Sequence, residues 1–136
     1  MSAVLLDTCA IVFIAGDEPI DGAARVEIAR AAAGDGVLVS PVSAWEIGLL
    51  ATKGRFRFEP DAKIWFRDFV GRVGVRVAAL TAEAALDSSF LPPTLHGDPA
   101  DRLLVATARE LGVPIVTRDR AILAYAKNGH VRAVAC

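Results

Sequence analysis

Short apolar runs alternate with helical periodicities along the whole chain. Residues 3–7 form a buried-strand pattern that closes on Asp7. Residues 8–15 stay apolar, and Thr8 can cap a short helix there. Gly16-Asp17-Glu18-Pro19 reads as a loop. An alanine-rich helix follows over 21–33, with Asp21 as its N-cap and Gly34 at its end. Residues 37–40 repeat the strand pattern, and Ser43 opens a helix that reaches Lys53 and stops at Gly54. Over 61–72, Ile64, Trp65, Phe69 and Val70 share one helical side. A strand is predicted over 75–79 and a helix over 82–89, capped by Thr81. Pro92 and Pro93 enforce a loop over 91–97. A helix is predicted over 98–111, with Pro99 in its first turn and Gly112 after its end. The pattern closes with a strand over 114–117, a helix over 120–126 stopped at Asn128-Gly129, and a strand over 131–134.

Alternation of this kind predicts an α/β fold: a central, mainly parallel sheet covered by helices. No repeat, linker or low-complexity stretch divides the chain, so residues 1–136 are expected to form one domain. Ligands of such sheets collect outside the carboxyl ends of the strands. Four acids sit where they can reach that edge. Asp7 and Asp119 follow strand patterns, while Glu46 and Asp101 fall in the opening turns of helices, with Asp98 beside the latter.

Composition narrows the classes. Hydrophobic residues make up 54% of the chain, which argues against disorder. No apolar run approaches the roughly 20 residues that span a bilayer. No basic segment precedes the first apolar stretch, which argues against a secretory signal. Cys9 and Cys136 are too few for a disulfide framework or a zinc site, so a reducing cytoplasm is the expected setting. The net charge is -1, but it is unevenly spread. Between Lys53 and Arg76, seven basic residues face three acidic ones. Arginines number twelve and lysines three, and the planar guanidinium suits bidentate phosphate contacts. A solvated surface face explains the same charges as well as phosphate binding does.

Each acid also has a purely structural reading. Asp7 can cap the following helix. Ser43-Ala44-Trp45-Glu46 has the spacing of a capping box, in which serine and glutamate satisfy each other's backbone donors. Asp98 before Pro99 is a good N-cap, Asp101 suits the dipole of a first helical turn, and Asp119 can end a turn. Separate caps do not explain why almost every strand-to-helix junction on one edge carries a carboxylate. Serine, threonine and asparagine cap as well as aspartate. Gathered carboxylates suit a hard cation with oxygen ligands, Mg²⁺ or Mn²⁺. No Gly-rich phosphate loop, dinucleotide fingerprint or H-E-x-x-H motif is present, and no Ser-His-Asp set is visible. His96 lies in the proline loop and is expected on the surface. Cys9 has apolar and acidic neighbours that raise a thiol pKa, so it is expected to pack rather than react.

Four segments, in order, resemble the PIN-domain ribonucleases, and within them the VapC-type toxins of bacterial toxin–antitoxin pairs. They are Leu5-Leu6-Asp7-Thr8, Ser43-Ala44-Trp45-Glu46-Ile47, the stretch from His96 through Asp98 and Asp101 to Ala106, and Ile115-Val116-Thr117-Arg118-Asp119. Each alone is weak; the ordered set is specific and spans nearly the whole chain. The resemblance implies a PIN-like three-layer α/β/α fold and a Mg²⁺- or Mn²⁺-dependent endoribonuclease. Asp7, Glu46, Asp101 and Asp119 would form its catalytic, metal-holding pocket, with Asp7 and Asp101 as principal ligands. Asp98 would be an accessory ligand or a cap, and Thr8 and Thr117 would orient water. It also implies an RNA substrate, a cognate antitoxin, a homodimer and no membrane association. Cys9 and Ala100 depart from the family pattern, where histidine and phenylalanine are common. Neither removes a carboxylate.

Two rival readings use the same residues. A metal-dependent phosphatase or DNA nuclease would need the same acids, and a substrate panel separates it. A non-catalytic binding module of the same fold would bind neither Mg²⁺ nor Mn²⁺. A phosphoacceptor receiver domain fits poorly, because the late Lys127 lies on a helix pattern rather than after a strand.

Overall fold

The structure is a computed structural model and describes residues 2–136. Five strands form one sheet: β1 (Ala3–Leu6), β2 (Gly36–Val39), β3 (Val75–Val77), β4 (Ile115–Thr117) and β5 (Ala133–Ala135). Their order is β3-β2-β1-β4-β5, and every pairing is parallel. The expectation of a mainly parallel sheet is therefore met in full. Among the described residues, seven helices connect and cover the strands: α1 (Thr8–Ala15), α2 (Gly22–Ala33), α3 (Pro41–Thr52), α4 (Ala62–Val70), α5 (Ala82–Asp87), α6 (Pro99–Leu111) and α7 (Arg120–Lys127). Among the described residues no helix is long and apolar enough to cross a membrane.

The strands are apolar at successive positions because both sheet faces are buried. Side chains alternate between the two faces. Leu5, Leu38 and Ile115 point into one core with Leu104 and Val105 of α6 and Ile122 and Tyr125 of α7. Val4, Leu6, Val37, Val39 and Val116 point into the other, with Ile11 of α1, Ile47 of α3 and Phe69 of α4. The result is the three-layer α/β/α arrangement.

Several boundaries differ from the sequence reading. Asp7, not Thr8, caps α1, and its side chain accepts from the Ala10 N–H at 2.8 Å. Ser40 rather than Ser43 caps α3, with Pro41 opening the helix. Helix α4 is shorter than 61–72, β3 ends at Val77, and the last strand begins at Ala133 rather than 131. The chain ends of these elements leave the ladder or fray before the apolar pattern does.

One close approach fixes how α2 lies on the sheet. Gly74 has φ +83°, and a Cβ there would meet Ala32 O at 2.6 Å and Ala32 Cα at 2.8 Å. Its carbonyl also accepts from Val37 N–H at 2.7 Å, so it cannot simply back away. Gly74→Ala is expected to cost about 2–4 kcal/mol through strain and overpacking together. Thermal denaturation reads this as a midpoint lowered by roughly 10 °C. A variant that melts with the wild type would show that α2 yields freely.

Candidate metal centre

The order in which strands are added reverses between β1 and β4, although every strand runs the same way. From β1 the sheet grows through β2 and β3 to one edge, and through β4 and β5 to the other. A crevice opens outside the carboxyl ends at such a switch point. Asp7 directly follows β1 and Asp119 caps α7 just after β4. The register pairs Leu6 with Val116, which sets Asp7 level with Thr117. The Thr117 hydroxyl donates to Asp7 Oδ2 and accepts from the Asp119 N–H at 2.9 Å. One threonine therefore positions both acids.

Glu46 arrives from α3. It lies in the second turn of that helix, because the helix starts at Pro41. The capping box predicted for Ser43 and Glu46 does not form. Ser43 is fully buried, its Oγ is 3.0 Å from Thr8 Oγ1, and the Thr8 hydroxyl donates to Glu46 Oε1. Both threonines expected to orient water thus spend their protons on carboxylates.

Asp101 stands in the first turn of α6, behind the cap Asp98. Asp98 Oδ1 accepts from Ala100 N–H at 2.9 Å and Asp101 N–H at 3.3 Å, and the Asp98 residue is exposed. Asp98 is a helix cap here, and its charge acts on the acids from outside.

Asp7, Glu46, Asp101 and Asp119 line one cleft of about 230 Å³ with Thr8, Cys9, Phe13 and Arg118. Burial raises the Asp7 pKa most, partly offset by the Thr117 hydrogen bond. Glu46 is also raised by burial, against the Thr8 hydrogen bond. Asp101 is pushed up to about 7, by burial first and then by Asp98 and Asp119. Carboxylates crowded this way hold protons unless a cation neutralises them.

His96 is the residue that sequence reasoning misplaced. Its Nε2 lies 3.3 Å from Asp101 Oδ2 and 3.7 Å from Asp119 Oδ1. Its Nδ1 accepts from the Asp98 N–H at 3.2 Å, so the proton sits on Nε2 and faces the carboxylates. Arg102 brings it there: its guanidinium donates to the carbonyls of Ser88, Leu95 and His96, while Tyr125 Oη donates to Pro92 O. These contacts fold the proline loop back over the start of α6. No local signal reveals them.

Cys9 departs from its expected packing role, since the residue is exposed at the cleft. Its thiol is nevertheless held up to about 11, by partial burial first and then by the four acids. A protonated thiol is a poor metal ligand. The donor set therefore fits a hard divalent cation. Carboxylate oxygens of Asp101 and Asp119 lie within 4.8 Å of each other, with His96 against them and the Asp7 and Glu46 carboxylates in the same cleft. Oxygen-rich coordination of this kind suits Mg²⁺ or Mn²⁺.

Known proteins resemble this chain in sequence and in fold. The chain is 32% identical to Ribonuclease VapC22 of Mycobacterium tuberculosis over 126 residues, covering 92% of this chain and 93% of the relative. VapBC2 from Rickettsia felis, solved bound to a promoter DNA fragment, superposes with a TM-score of 0.73 at 12% identity, covering 98% of each chain. DNA-bound VapBC from Salmonella typhimurium gives 0.69 at 17% identity, covering 99% of this chain and 98% of that one. At those identities the two structures speak for the fold alone. The PIN domain family model matches residues 4–128, nearly the whole chain, and the chain therefore belongs to the PIN domain family.

Proposed function

We propose that this protein is a divalent-metal-dependent endoribonuclease, hydrolysing RNA phosphodiester bonds as the toxin of a toxin–antitoxin pair. The observation that carries the reading is the convergence of Asp7, Glu46, Asp101 and Asp119 on one cleft at the sheet's switch point. The ribonuclease relative supplies the substrate class.

Asp7, Asp101, Asp119 and Glu46 would hold Mg²⁺ or Mn²⁺. When bound, the cation lowers the pKa of water and neutralises phosphate oxygens. The chain's own work is positioning. Thr117 fixes Asp7 and Asp119 relative to each other, and Thr8 fixes Glu46. His96 orients Asp101 through its Nε2–H. The basic side chains between Lys53 and Arg76 are all exposed and would contact flanking phosphates.

A cognate antitoxin is the proposed partner. The apolar groove between α3 and α4, lined by Ala44, Ile47, Phe66 and Val70, is available to it, with Trp45 exposed beside it. A homodimer would cover Leu86 and Phe90, which are 66% and 80% exposed.

Purified protein incubated with total cellular RNA tests the activity, with Mg²⁺ or Mn²⁺, with EDTA, and beside Asp7→Asn. Discrete fragments that need both the metal and Asp7 are expected. A folded, metal-binding protein that leaves RNA intact would point to another phosphoester. Loss of both cleavage and metal binding would leave the binding-module reading.

A further inference from the structure

Arg118 lines the acidic cleft as its one cation among the described residues. No carboxylate of the described residues lies within ion-pair distance of it, although Asp119 is its neighbour in sequence. An arginine beside clustered acids ordinarily spends its charge on one of them. Here other contacts hold it. The guanidinium carbon sits 3.9 Å from the Phe13 ring centroid, and Nη2 donates to Pro19 O at 2.8 Å. A guanidinium has five N–H donors in a rigid fork, so these contacts leave donors over. Stacking on Phe13 fixes the plane of the group, and ordering it on binding costs little further entropy.

The electrostatics of the cleft give such a group a task. An RNA phosphate approaching the carboxylates is repelled until the metal charge offsets them. A second, permanent positive charge at the same cleft draws the strand in and sets its register. We propose that Arg118 binds an RNA phosphate adjacent to the one being cut, with Phe13 as the platform that holds its guanidinium in place. This rests on the ribonuclease reading of the same cleft. It adds a substrate-binding residue distinct from the metal-holding acids.

The test compares wild type, Arg118→Ala, Arg118→Lys and Phe13→Leu in cleavage of a labelled single-stranded RNA oligonucleotide, over a series of KCl concentrations. Mn²⁺ binding by each protein, first stripped of metal, is measured alongside by calorimetry. Arg118→Ala is expected to raise KM about tenfold, the size of one charge-assisted contact. It should leave kcat and Mn²⁺ affinity near wild type. Its salt slope should fall by about one. Arg118→Lys should recover the slope but only part of the KM, since the charge returns without the planar fork. Phe13→Leu should raise KM less than Arg118→Ala and keep the slope.

An Arg118→Ala enzyme with unchanged KM and slope overturns the proposal. So does a fall in kcat with KM unmoved, which would mean a role in the chemical step. Weakened Mn²⁺ binding would assign Arg118 to shaping the metal centre instead. If the wild type itself fails to cut RNA with metal, the ribonuclease reading falls and this inference falls with it. If the wild type cuts and the variants match it, only the role of Arg118 is lost.

Discussion

Asp101→Asn is expected to abolish RNA cleavage while raising the melting temperature of the metal-free protein at neutral pH. The Asp101 carboxyl titrates near 7 in the fold, chiefly because it is buried and then because Asp98 and Asp119 stand close. In the unfolded chain an aspartate titrates near 4. Between about pH 4 and pH 7 the native state therefore keeps a proton that the unfolded state has released. Stability is lost as pH rises through that window, and the full penalty stands above it. Asparagine never ionises, and its Oδ1 can still accept from His96 Nε2. After discounting for solvent screening, the gain is on the order of 1–2 kcal/mol, or roughly 3–8 °C in melting temperature. Cleavage should fall by more than about a hundredfold, since a metal-holding oxygen is lost. Thermal melts in EDTA at pH 5 and pH 7.5 check the stability half. The stabilisation should be small at pH 5 and larger at pH 7.5. An asparagine variant that melts below wild type at pH 7.5 would show that the carboxylate is not under strain, and retained metal-dependent cleavage would remove Asp101 from the site.

Metal affinity should climb steeply with pH across neutrality. A cation binds the ionised carboxylates, so each proton still held must leave first. With Asp101 titrating at about 7, affinity is expected to rise about tenfold between pH 6 and pH 8 from this group alone. Asp7 and Glu46 are raised as well and add to the rise. Calorimetric titrations with Mn²⁺ in buffers of different ionisation enthalpy should show about one proton released per ion from Asp101 near pH 6, with fewer released at pH 8. The bound ion should also relieve the repulsion that strains the metal-free fold. At a hundred times its dissociation constant it would stabilise by about 2.7 kcal/mol. Affinity that stays flat from pH 6 to pH 8 would mean that Asp101 is already ionised without metal.

Both results follow from a cluster whose members could be named before any tertiary contact was known. Asp7 and Asp119 were legible because a strand pattern is short and its end is marked by the next polar residue. Asp101 was legible because Asp98-Pro99 announces a helix start. Parallel strands all end on the same edge, so these local signals also specify a shared edge. The resemblance in four ordered segments strengthened the same assignment. Glu46 was legible from the shared pattern of acids, and its competing capping-box reading fails because the helix starts at Pro41 with Ser40 as its cap.

His96, Arg102 and Arg118 show where that kind of reading ends. His96 reaches Asp101 only because Arg102 and Tyr125 hold the 91–97 loop by backbone carbonyls. Arg118 is available to a ligand only because Phe13 and Pro19, 99 or more positions away in sequence, take the contacts that Asp119 would otherwise offer. Periodicity and capping are properties of a few neighbouring residues, and they suffice to place strands, helices and the acids at their ends. Side-chain partners across a hundred positions depend on strand order, register and loop packing, which no local pattern encodes. The chemistry of this cleft, an acidic pocket able to hold a hard cation, was therefore written in the residues. Its protonation, its histidine and its arginine came from how the layers close over it.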